Sequence, residues 1–127
     1  MFLDAMKSLY AYHDRATGRV LDVAARLSAS EFTAVVFSGQ PPVRDTFVHM
    51  FDTQTCHFAW LAGTMTREES FARKFPVDDY PDVSSLVRFW DTVSGETNAF
   101  LKSLNSDSGL ELTYARSALW ARAISGK

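Results

Sequence analysis

Val43-Arg44-Asp45-Thr46-Phe47-Val48-His49-Met50-Phe51-Asp52-Thr53-Gln54-Thr55-Cys56-His57-Phe58-Ala59-Trp60-Leu61-Ala62 is the stretch that decides the fold. Phe47, Met50, Phe51, Gln54, Phe58 and Leu61 recur at spacings of three and four, which places them on one face of an α-helix. Pro42 stands just before it, where a proline suits a first helical turn. Gly63 follows it and supplies a stop. The segment is therefore read as a long amphipathic helix over Val43–Ala62, with one apolar face to bury.

Two further segments carry the same rhythm. Leu3–Leu27 has Phe2, Met6, Leu9, Ala16, Val20, Ala24 and Leu27 near a helical period, with most of its charges off that stripe. Val83–Leu104 has Leu86, Trp90, Val93, Thr97, Leu101 and Leu104 in a repeat of threes and fours, and Asp82 before it is a helix cap. Ser28-Ala29-Ser30-Glu31 reads as a capping box that opens a short helix, and Thr66-Arg67-Glu68-Glu69 as the cap of another through Ala72. Asn105-Ser106-Asp107-Ser108-Gly109 ends the third long helix with turn chemistry. Beyond it, Leu110, Leu112 and Tyr114 alternate as in a short extended piece, and Ser117–Ile124 reads as a stub of helix.

Three amphipathic helices of this length predict an all-α helical bundle in one domain over residues 1–127. The connection from Gly63 to Asp82 is longer than the 2–8 residues usual between antiparallel neighbours. It is long enough to cross the bundle, so the second and third long helices are expected to run parallel. A three-helix set of this kind leaves apolar surface open to a fourth element or to another chain. A homodimer is expected, with Leu3–Leu27 and Val43–Ala62 as its main contributors.

Composition narrows the function classes. A formal charge of −2 and a pI near 5.9 lack the basic excess of a nucleic-acid binder. The single cysteine, Cys56, excludes an internal disulfide framework and suits a reducing compartment. Met1–Lys7 carries Asp4 and no long apolar run, unlike a signal peptide, and no stretch approaches a membrane span. A cytoplasmic protein is the expectation.

The chemistry-bearing residues are few. Two metal ligands on one helix stand three or four residues apart. His49 and His57 are eight apart, about 12 Å along the axis, and cannot hold one ion together. Asp45 and Asp52 lie within a turn of His49 as a second ligand or as partners that orient its ring. On spacing alone, His49 is a histidine at the edge of a core stripe. His57 packs at the helix edge near Trp60, and His13 lines the same cavity as His49 if the first two long helices are neighbours. Cys56 reads as a small buried hydrophobe. There is no nucleophile elbow, Gly-rich phosphate loop or CxxC pair.

Tyr10-Ala11-Tyr12-His13-Asp14-Arg15-Ala16 with Arg19-Val20-Leu21 resembles the first helix of the DinB/YfiT-like metalloenzyme family. Val43–Met50 resembles that family's second helix, and Trp60-Leu61-Ala62-Gly63 its usual ending. Leu86, Trp90 and the stretch Leu110–Tyr114 match in order. The resemblance implies a four-helix bundle with a crossover loop. It also implies a divalent ion, nickel or zinc among others, held by three histidines, with His49 as the metal ligand from the second helix. It further implies thiol-dependent S-transferase chemistry on a small-molecule thiol. The family's other two ligands come as His-x-x-x-His from a fourth helix. Here Leu119-Trp120 is followed by Ala121–Lys127 with no histidine, so that helix is expected to be truncated or degenerate, through a truncation or a change of reading frame. The alternative function is a metal-free helical bundle with a structural or interaction role through oligomerisation.

Overall fold

The computed structural model describes residues 2–104. Within them the chain forms α1 (Phe2–Ala24), α2 (Ala29–Thr33), α3 (Val43–Leu61), α4 (Arg67–Ala72), a 3₁₀ turn (Val77–Asp79) and α5 (Val83–Ser103). The described residues are all-helical, as the periodicity predicts. The expected extended piece, the helix stub and the truncated fourth helix all lie outside the described residues.

Each expected cap closes a helix end. The Ser28 hydroxyl accepts from the Glu31 amide while the Glu31 carboxylate accepts from the Ser28 amide. Thr66 and Glu69 repeat this at α4, and Asp82 and Ser85 at α5. Such pairs satisfy backbone donors that a helix start would otherwise leave bare. α3 has no side-chain cap after Pro41-Pro42, and the Thr46 amide and hydroxyl both use the Pro42 carbonyl. Gly63 adopts a left-handed φ of 77° one residue after the α3 C-cap, the conformation that lets the chain leave the helix.

The contacts fix helix directions. On α3 and α5, Phe51 meets Trp90 at 4.9 Å, Gln54 bonds Thr97, and Phe58 meets Phe100 at 5.7 Å. Both residue numbers rise together, so α3 and α5 run parallel. On α1 and α5, Asp14 accepts from the Ser94 hydroxyl and Lys7 Nζ donates to the Leu104 carbonyl. Here one number rises as the other falls, so α1 is antiparallel to both. The 62–82 connection makes the crossover that its length requires. It is strapped down on α3 by the Ser70 hydroxyl donating to the Cys56 carbonyl and by Arg73 Nη2 donating to the Thr55 carbonyl at 3.1 Å. Phe75 and Tyr80 stack on Phe89 at 5.1 and 4.9 Å, which sets the start of α5.

The core lies between α3 and α5, where Phe47, Val48, Phe51, Leu86, Trp90 and Val93 are buried with Phe32 of α2 and Leu21 and Ala24 of α1. The α1 stripe read from the sequence divides differently. Its core side is Leu3, Thr17, Leu21 and Ala24, whereas Leu9 and Val20 are 62% and 54% exposed. The apolar arc of α1 is wider than one neighbour can cover. It packs on α5 with one edge and stands off from α3 along the other.

Candidate functional site

The gap between α1 and α3 is a groove of about 690 Å³. Met6, Leu9 and Tyr10 form its α1 wall, and Met50, Gln54 and Phe58 its α3 wall. A second hollow of about 430 Å³ shares His13 and Met50 with it and runs on towards Val20, Pro41 and Val43. Both walls arise from sequence rhythm. Met6, His13 and Val20 fall at seven-residue intervals on α1, and Met50, Gln54 and His57 at four and three on α3, so each helix turns a continuous strip to the gap.

All three histidines of the chain line the 690 Å³ groove, and no lysine, arginine, aspartate or glutamate lines either hollow. His13 is the inner one. Its Nε2 lies 3.1 Å from Gln54 Oε1, and Gln54 Nε2 donates to the buried Thr97 hydroxyl at 2.9 Å. In this amide orientation Gln54 Oε1 is the acceptor, which pairs with the His13 tautomer that carries its proton on Nε2. The ring edge of His13 rests against Trp90 at 5.6 Å and Tyr10 at 6.1 Å. His57 stands at the rim. Its Nδ1 is 2.8 Å from the Thr53 carbonyl, which only accepts, so Nδ1 bears a proton and Nε2 is the acceptor of the neutral ring. Its ring packs edge-on to Phe71 of α4 at 5.0 Å. Tyr10 lies against Phe58 at 5.3 Å, and burial pushes its hydroxyl above the ordinary pKa of 10.0.

His49 is on the same rim with a side chain 82% exposed, and its Nδ1 is 3.9 Å from Asp52 Oδ1. That separation is too long for a hydrogen bond. Asp45, the other candidate partner, accepts from Arg44 Nε at 3.0 Å. Cys56 is buried under α4, as its reading as a small hydrophobe expects. No three His, Cys, Asp or Glu side chains among the described residues gather closely enough to hold a metal ion. The three histidines, all of them described, share a groove without converging. The donor set therefore does not fit the three-histidine ion that the resemblance implies.

Sequence reasoning placed His13 and His49 in one cavity but missed Gln54 as a polar group that links the groove to α5. The signal was available: a glutamine on an otherwise apolar helix face needs partners once buried. No family model, curated protein or solved structure gives a significant match to this chain. Among the described residues no helix is long and apolar enough to cross a membrane.

Proposed function

We propose that the protein is a DinB/YfiT-like helical bundle that binds a small, apolar-bodied ligand in the groove between α1 and α3. The observation that carries this reading is the lining: an apolar floor, three imidazoles and no fixed charge. A site of this size between bundle helices, with a few polar groups to orient its occupant, has the make-up of a small-molecule site. The imidazole of His57 offers a lone pair at the rim, and His13 offers one at Nδ1 on the floor. These groups would accept a hydrogen bond from a thiol or hydroxyl while the walls take its apolar body. A small thiol is the ligand class the resemblance implies, with S-transfer as its reaction.

A second reading keeps an ion. His49 and Asp52 stand one helical turn apart on one face with Nδ1 and Oδ1 3.9 Å apart, the two-donor spacing of a helical ligand pair. An ion such as nickel or zinc held there would take its remaining donors from a ligand or a second chain.

One titration tests both. Histidine ring resonances are followed as a small alkyl thiol, butanethiol, and then zinc are added to wild type and to His49→Ala. The groove reading expects thiol to shift His13 and His57 in both proteins, and unmoved rings would sink it. The ion reading expects stoichiometric zinc in wild type, by elemental analysis, and none in His49→Ala. Zinc-free wild type removes it.

A further inference from the structure

We propose that the second hollow, beside Thr17, is a subsite for a neutral hydroxyl at the far end of the ligand. It deepens the groove reading above and rests on it for the ligand's thiol and apolar body. The observation is a hydroxyl without a partner. Thr17 is 6% exposed, and among the described residues nothing bonds its Oγ1. The other threonines of the described helices are all engaged. Thr33, Thr46, Thr53 and Thr92 donate to the carbonyl four residues back, the usual outlet for a helical threonine. Thr55 donates to Glu96, and Thr97 accepts from Gln54. Thr17 does neither, although an unpaired polar group is costly to bury. Its side chain is part of the wall of the second hollow.

The chemistry of that hollow selects its occupant. Its volume is about 430 Å³, and Ala16, Val20, Val43, Phe47 and Met50 make most of the wall apolar. A carboxylate or ammonium entering it would lose its hydration and meet no counter-charge, so the polar end of a ligand must be neutral. Thr46 is the other hydroxyl on the wall, and its proton is committed to the Pro42 carbonyl at 3.2 Å. Thr46 therefore offers lone pairs, whereas Thr17 offers a proton as well. A ligand hydroxyl both donates and accepts and can use the two; a carbonyl can use Thr17 alone. His13 lines both hollows and precedes Thr17 by one turn of α1, about 6 Å along the axis. A thiol held at His13 Nδ1 and a hydroxyl held at Thr17 are thus joined by a short alkyl chain across the boundary between the hollows. Thr17 sets which way round such a ligand lies.

Four probes test this: butanethiol, 4-mercaptobutan-1-ol, 4-mercaptobutanoate and the thiol-free butan-1-ol. Each is titrated into wild type, Thr17→Val and Thr17→Ser, and binding is followed through the His13 ring and the Met50 methyl, which border both hollows. Wild type should bind 4-mercaptobutan-1-ol about two- to tenfold tighter than butanethiol, the gain of one neutral hydrogen bond. The carboxylate should bind no tighter than butanethiol. Thr17→Val, which keeps the shape and breaks no bond within the fold, should abolish the preference, and Thr17→Ser should restore it. Equal affinity for the first two probes in wild type overturns the proposal, as does a preference that persists in Thr17→Val. The two readings fail separately. Butanethiol that binds with no gain from the hydroxyl leaves the groove reading standing and removes the subsite. Butan-1-ol held through Thr17, with no thiol moving the rings, removes the thiol reading and keeps the subsite.

Discussion

Gln54 is the residue through which the groove and the core are joined. Its amide spends the carbonyl on His13 and the NH₂ on Thr97, which is 3% exposed. An unmade hydrogen bond at a buried polar group costs about 1–3 kcal/mol. Gln54→Ala strips both partners at once, so it should destabilise the protein by about that range in urea unfolding. Thr97→Val alone strips the hydroxyl but leaves the amide facing apolar carbon. In a double-mutant cycle the pair should couple by at least about 0.5 kcal/mol, the level above which contacting residues cease to be additive. Strict additivity would mean that the bond contributes nothing. The histidines themselves illustrate how far sequence carries at this scale. Helical spacing separates His49 and His57 by two turns, and the structure sets both rings along one groove. It could not show that His13 is held by a glutamine from another helix, because that contact depends on how α1 crosses α3.

The short elements are fixed by chemistry that is local, and for that reason they were legible. Ser28 with Glu31, Thr66 with Glu69 and Asp82 each cap the helix that their spacing announced. The long crossover was legible from loop length, and the paired contacts of α3 with α5 give it its direction. The division of α1 into a core edge and a groove edge was not, since its apolar arc exceeds a single stripe and periodicity alone cannot say which part meets α5. The Ser28–Glu31 box has a pH signature. The Ser28 backbone amide, then its hydroxyl, hold the Glu31 carboxyl below the ordinary value of 4.5. A carboxyl whose folded pKa is depressed adds stability above its unfolded pKa and loses it as pH falls through the folded value. Wild type should therefore lose part of its stability as pH drops below about 4.5. Glu31→Gln keeps the box but removes the titration. The stability difference between wild type and Glu31→Gln, measured by urea unfolding, should narrow between pH 6 and about pH 3. A difference that stays constant across that window would show that Glu31 makes no charged cap.

At the scale of the whole molecule, the apolar surface of α1 extends beyond the groove. Tyr12 and Val23 are 65% and 60% exposed, and they lie outside both hollows. With Leu9 and Ala16, which also edge the two hollows, they form an outer strip, in which 9, 16 and 23 stand at seven-residue intervals. A seven-residue apolar repeat is the pattern along which one helix seats against a parallel or antiparallel copy. Val35, Val36 and Phe37 add a second exposed apolar run in the loop before α3. Contiguous apolar surface of this kind marks an interaction face. A two-fold dimer in which α1 meets α1 would bury the outer strip of each copy in one isologous contact. Sedimentation at micromolar concentration should therefore find a dimer. Tyr12→Glu with Val23→Glu should return it to monomer, because two carboxylates per chain would face their own copies across the two-fold axis. The urea midpoint of the dissociated chain should change by little, since neither side chain belongs to the α3–α5 core. A monomeric wild type would refute the dimer, and a double variant that unfolds would place these side chains inside the fold.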